Sequence, residues 1–421
     1  MPSPTFAPFR HRNFTLFWVG SFVSNIGTLM ESVALGIYVQ DRTGKAAWNG
    51  IVAGLGFLPT GLGAPLGGAL ADRMSRRRLI FMSTSAMIVL ASLMTWVVTT
   101  HRGAPGTIAL LSLGGGFATS LAWPAFQSLL PELVPPDQLV AAVGLSSAQW
   151  NLARVVAPAS AAIVIGLFGV PWALGFNAVS FVAVLIVVVL VRLPTAPRPT
   201  TNRGVVSSIK DGLDYVWTTP ALRTNIQLLF FNVLMASAYI GLVPAVAHKV
   251  FHGGKNLTSV FSTALGIGAV LAAVALNPLV IRFSLRRVVV GITVGLPLAT
   301  FVYAGAPHPI VAFFSITALG FGYMTGLLAS ATLVQTRVPS AMRGRTLSIN
   351  TLGLGLAYPI AVSTQGWLGD HIGLRWAMAG FASVALLVIV GVRLRRPGFT
   401  APLADEAEPT VLSGVGTAHL E

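Results

Sequence analysis

Twelve stretches of this chain run for about 20 residues with almost no charge, the length a helix needs to cross the hydrocarbon core of a bilayer. They fall at residues 14–40, 47–70, 79–99, 107–130, 140–168 and 171–191, then at 225–246, 259–280, 288–305, 309–333, 347–366 and 374–392. In lipid, a backbone satisfies its own polar groups only as a helix or a closed barrel. Runs this long and uniformly apolar predict helices, so the expected fold is an all-α membrane protein. Charge agrees: only 9% of residues are Asp, Glu, Lys or Arg, against about 25% in an ordinary soluble protein. The net charge of +15 does not point to nucleic acid, because the basic residues sit at the ends of the apolar runs. Cysteine is absent, which excludes disulfides and thiol chemistry. The first apolar run is too long for a signal sequence, so no cleaved leader is expected.

The basic residues also orient the chain. With the N-terminus inside, 20 Lys and Arg fall on inner segments and 6 on outer loops. The one remaining, Arg154, lies within a span. That bias puts both termini in the cytoplasm of a multi-pass protein of the plasma (inner) membrane. The two halves echo each other. Shifted by 209 positions, Arg73, Ser75, Arg77 and Arg78 fall on Arg282, Ser284, Arg286 and Arg287. Parallel repeats of this kind predict twelve transmembrane helices in two six-helix bundles. The bundles would be residues 1–191 and 224–396. A cytoplasmic linker, 192–223, ends in an amphipathic helix, and 397–421 reads as a disordered cytoplasmic tail.

An ionisable side chain inside lipid costs several kcal/mol unless paired or solvated, so it is a functional candidate by default. Glu31 is the acid placed deep in a span, and Arg154 the base. Counted from the inner ends of their spans at 1.5 Å per residue, they lie roughly 25 and 21 Å deep. An ion pair between them is expected. It has two readings: Glu31 carries a proton during transport with Arg154 setting its pKa, or the pair fixes one helix to another. Around them, Trp150 and Asn151 share the face of Arg154. Trp123 and Gln127 share a face in the fourth span, Asn232, Met235 and Tyr239 in the seventh, and Tyr358 and Gln365 in the eleventh. Together they predict a cavity for an amphipathic organic molecule, with helix packing as the alternative for each residue.

The loop Gly67–Arg78 packs one acid and four arginines into a tight turn. It resembles the signature loop of the major facilitator superfamily, G-x-L-A-D-R-x-G-R-R. Gly68, Leu70, Ala71, Asp72, Arg73, Arg76 and Arg77 match, and Ser75 replaces the second glycine. The resemblance implies a gating element, in which the acid caps a facing helix. Glu132 and Asp137, in the next inner loop, are candidate partners for the arginines, and a plain positive-inside anchor is the alternative. Further segments resemble the enterobactin-exporter and macrolide-efflux-like branch, the transmembrane secretion effectors. They are Ser24–Gly27, Gln127–Gly144 through Pro131–Pro135, Asn151–Arg154, Asn177–Phe181 and Arg343–Arg345.

That resemblance implies a secondary transporter: proton-coupled export of an amphipathic drug or siderophore-like metabolite by alternating access, in a monomer whose partners are protons, substrate and lipid. An importer, an uncoupled facilitator and a non-transporting receptor are the alternatives. An enzyme is not expected, because the spans contain neither His nor Cys and no nucleophile–base set. No cofactor or metal is expected either. His248 and His252 lack a third ligand and read as loop residues.

Overall fold

The computed structural model describes residues 4–190 and 205–404. Among them there is no β-strand. Six helices come first: α1 (Arg12–Thr43), α2 (Ala46–Arg73), α3 (Arg76–Thr99), α4 (Pro105–Leu129), α5 (Leu139–Phe168) and α6 (Val170–Leu190). Eight follow: α7 (Val205–Thr218), α8 (Pro220–Gly241), α9 (Val243–Lys249), α10 (Gly254–Phe283), α11 (Leu285–Gly305), α12 (Pro309–Arg337), α13 (Ser340–Ile372) and α14 (Leu374–Arg395). Setting aside the amphipathic α7 and the short α9, these helices run from 21 to 33 residues. Ten of them are long and apolar enough to cross a membrane, judged on the described residues; α2 and α8 lie outside that set.

Local chemistry sets the helix ends. Gly44 closes α1 at φ 61, and its N–H bonds the Gln40 carbonyl. Most residues avoid that left-handed geometry, but glycine adopts it freely. Ser75 caps α3, its hydroxyl accepting from the Arg78 N–H at 3.3 Å. The repeat-related Ser284 turns differently, at φ 67 against −63 for Ser75. The two loops therefore share sequence without sharing a turn. Apolar side chains face outward in quantity: Trp376 is 74% exposed and Ile281 78%. Water would penalise such a surface and lipid does not.

In the first half α1 packs against α5 and α6, and α4 against α2 and α3. In the second half α12 packs against α10 and α11, and α13 and α14 join α8 and α11. The halves meet along two seams, α2 with α13 and α5 with α10. Small residues make both seams close. A Cβ on Gly54 would sit 3.0 Å from the Pro359 Cα, and a Cβ on Gly266 would collide with the Arg154 carbonyl. Between membrane helices, where no hydrophobic drive exists, backbone approach of this kind supplies the van der Waals adhesion.

One end of the α2–α13 seam carries a polar clasp. The Asp370 carboxylate accepts from the Ala46 N–H at 2.8 Å and the Ala47 N–H at 2.9 Å, and it pairs with Lys249 at 2.6 Å. Lys255 and Asp41 approach to 3.9 Å at the same end. At the opposite end Arg345 binds Asp211 at 3.0 Å, tying α13 to α7. There the structure corrects the disordered reading of 397–421 for its first residues. Arg337 donates to the carbonyls of Pro402 and Leu403 at 3.2 and 3.0 Å. Leu403 is 1% exposed and packs with Val216, Leu222 and Leu333. One leucine and a few backbone acceptors dock a segment whose composition looks featureless. The linker positions 192–204 and the tail from 405 onward lie outside the described residues.

Candidate functional site

Glu31 sits midway along α1 and is half-buried. Its carboxylate accepts a hydrogen bond from the Asn177 side-chain amide on α6. Asn177 is 1% exposed and held in turn: its side-chain oxygen accepts from Thr28 at 3.5 Å and from Ser180 at 3.3 Å. Gly27 makes room for this, since a Cβ there would strike Ser180 and Asn177. The result is a polar node of Thr28, Glu31, Asn177 and Ser180 between α1 and α6. Asn177 escaped the sequence-based list of site residues. Its signal was a carboxamide in the middle of a strongly apolar run, which in lipid demands a partner.

Arg154 faces elsewhere. Its guanidinium lies 3.5 Å from the Met324 sulfur on α12 and 5.7 Å from the Trp150 ring centroid. The expected Glu31–Arg154 ion pair is not formed, and this corrects the sequence reading. Depth along a helix was read well enough, but depth does not fix direction. Each residue turns about 100° from the last, and Glu31 turns toward α6 while Arg154 turns across to the second half.

The remaining candidates divide. Trp123 on α4 is 48% exposed, and its ring centroid lies 6.1 Å from that of Trp150. Trp123, Trp150 and Arg154 thus form one continuous face, with Gln127 exposed on α4 one turn from Trp123. Asn151 spends its amide on the Ser147 carbonyl at 2.9 Å. Asn232 is buried against Thr293 at 3.5 Å. Gln365 is buried, donating to the Leu234 carbonyl at 2.7 Å. Tyr358 packs edge-on against Phe57 at 5.1 Å in the α2–α13 seam. These last three hold helices together in this conformation rather than lining an open space. Met235 is half-buried on α8, and the side chain of Tyr239 lies outside the described ones.

At the gating loop the chain turns through Met74 and Ser75 alone. The side chains of Asp72, Arg73 and Arg76, and the surroundings of Gly68, lie outside the described ones. Arg77 donates to the Val189 carbonyl at 3.1 Å, so it caps the C-terminal end of α6, where a cation is favoured. Glu132 sits half-buried in the 3-10 turn Leu130–Glu132 and is not without a partner. Asp370 is the second residue that the sequence reading passed over. It lies just beyond an apolar run, where an acid looks like a solvated end.

A chain of long apolar helices whose halves touch along two glycine-lined seams is a multi-pass membrane protein with the architecture of a secondary transporter. Solved structures share that fold. The nucleoside transporter NupG superposes with a TM-score of 0.71 at 14% identity, over 93% of this chain and 99% of its own. A bacterial homologue of the human lysosomal transporter Spinster, inward-facing and unoccupied, gives 0.71 at 13% identity, over 94% and 99%. The chain belongs to the transmembrane secretion effector family of the major facilitator superfamily, whose model matches residues 3–411. It is similar to the enterobactin exporter of Salmonella typhi, 27% identical over 407 residues, 94% of this chain and 96% of that one. It is also similar to macrolide efflux protein A of Streptococcus pyogenes, 24% identical over 402 residues, 90% and 94%. It is therefore a membrane transporter and not an enzyme.

Proposed function

We propose that this transporter exports an amphipathic, drug-like or siderophore-like molecule in exchange for protons, by alternating access between two six-helix bundles. On this reading α2 and α8 complete a set of twelve crossings. Both termini lie in the cytoplasm, and the Asp370 end faces outward. Each chain holds both halves of the path, so a monomer suffices.

One observation carries the reading. Glu31 is a half-buried carboxylate in the middle of a span, and a neutral amide, not a cation, holds it. An ionised carboxylate there costs several kcal/mol, whereas a protonated one is cheap. The Asn177 amide can hydrogen-bond either form. Such a group exchanges a proton when access switches sides. The two relatives, an enterobactin exporter and a macrolide efflux protein, support the direction of transport. The clasp at the Asp370 end supports a conformation closed to the outside.

The test is substrate-dependent proton movement in everted vesicles, with substrates chosen from a susceptibility panel in a host stripped of its own pumps. Wild type should release protons on adding substrate, and Glu31→Gln should not. If Glu31→Gln keeps proton-driven transport, the carrier role fails; uptake without a gradient identifies a facilitator instead.

A further inference from the structure

We infer that Arg154, Trp150 and Trp123 form an anion-selective subsite, so that the transported molecule carries an acidic group beside a flat aromatic part. The inference rests on the transport reading above and narrows its substrate class.

Charge balance comes first. Among the described residues no carboxylate pairs with Arg154. The acid that shares its half of the membrane interior, Glu31, is taken by Asn177. Arg154 touches a thioether and an indole face instead, and the phenol of Tyr323, neutral in its ordinary state, is a further polar neighbour. A guanidinium cannot shed its proton in a protein, so it cannot escape the cost of burial by neutralising, as a carboxyl group can. A thioether sulfur is a weak acceptor and leaves the charge uncompensated. A ligand's carboxylate, sulfonate or phenolate would supply the counter-charge that these neighbours do not.

Placement comes second. Arg154 belongs to α5 in the first half, yet it reaches Met324 on α12 in the second. At its own backbone α5 and α10 come into contact through Gly266. A ligand held here is gripped from both halves, as alternating access requires of a substrate near the midplane. Methionine is a fitting second wall, because its flexible, polarizable side chain adapts to different shapes.

The aromatic wall comes third. Trp123 keeps 48% of its surface exposed, and Trp150 lies 6.1 Å from it on the side toward Arg154. Two indoles leading to one guanidinium offer a stacking surface that ends in a charge. A cationic amphiphile would meet the same indoles but be repelled by Arg154.

Three probes of nearly equal shape separate the terms: 2-naphthoate, 2-naphthamide and 2-(aminomethyl)naphthalene. Binding is measured by equilibrium dialysis on the purified full chain in lipid nanodiscs. Naphthoate should bind about tenfold more tightly than naphthamide, the scale of one charge-assisted hydrogen bond. Arg154→Gln should abolish that preference. Arg154→Lys should restore part of it, since charge returns without the planar fork. Trp123→Ala should weaken all three probes alike, and it keeps the inference testable if Arg154 variants fail to fold. Equal binding of the three probes by wild type, no saturable binding of any, or a preference for naphthoate surviving in Arg154→Gln overturns the subsite. Proton flux in proteoliposomes is read separately. Anion-selective binding without proton movement defeats the coupling and leaves the subsite standing. Proton-coupled flux with no charge preference does the reverse.

Discussion

Replacing Asp370 with asparagine should loosen the clasp at one end of the α2–α13 seam. The carboxylate binds the first two amides of α2, at 2.8 and 2.9 Å. These N–H groups have no partner within their own helix. A carboxylate at a helix N-terminus contributes about 0.3–1 kcal/mol, and up to about 2 when partly buried. The Lys249 pair is half-exposed, with 32% and 14% of the two side chains accessible, and adds at most about 1 kcal/mol. Asparagine keeps the shape but turns an NH2 toward one of these donors. The amides and Lys249 are hydrated once the seam opens, so the loss falls on the closed state alone. A loss of about 2 kcal/mol shifts the equilibrium toward opening about 30-fold.

The chain has no cysteine, which makes the assay direct. Val362 is 0% exposed in the seam, so Val362→Cys reports opening through its labelling rate with an impermeant maleimide added from the Asp370 side. Asp370→Asn should raise that rate at least tenfold, and Lys249→Ala by less than about fivefold. Unchanged labelling in Asp370→Asn, or a larger effect from Lys249→Ala, refutes the reasoning.

Three further outcomes follow from the packing. Gly266→Ala should lower the melting temperature in detergent by the equivalent of about 1–3 kcal/mol, the usual cost of overpacking. Its Cβ meets the Arg154 backbone, whereas Gly291→Ala, whose Cβ meets nothing within 4 Å, should leave melting unchanged. Leu403→Ala should cost about 2 kcal/mol or more in the same melt, because Leu403 is buried although it lies past the last long helix. Arg77→Ala should cost about 0.3–1 kcal/mol through the lost cap on α6, and Arg77→Lys should recover most of it.

What the sequence made legible was position along the membrane normal. Apolar runs, charged ends and the repeated arginine loops each report where a residue lies between two interfaces. The helices accordingly begin and end close to where the runs do, except at the seventh. There the run 225–246 is divided between α8, which starts at Pro220 and ends at Gly241, and the short α9, which starts at Val243 beside Pro244. Angle about the helix axis was legible only where one helix repeats a polar or aromatic side chain at i and i+3 or i+4. Trp150 and Arg154 meet that condition and lie together. Asn232, grouped with Met235 and Tyr239, and Gln365, grouped with Tyr358 two turns away, were assigned to a cavity, yet they serve as helix-to-helix hydrogen bonds.

Glu31 and Arg154 show why this matters for function. Opposite charges at one depth suggest a pair, but a pair also needs two helices turned toward each other, and the polar neighbours that mark each face, Thr28 beside Glu31 and Asn151 beside Arg154, do not say which helix that face meets. The angular information lay in Gly27 and Gly266, each absent a side chain where another backbone or polar group comes in. Gly27 aims the Glu31 face of α1 at Asn177, and Gly266 brings α10 against the backbone of Arg154. The acid and the base are thereby kept in different contacts. On the reading proposed above, separation leaves each with work its partner would have blocked: a carboxyl group free to gain and lose a proton, and a guanidinium free to meet an anion.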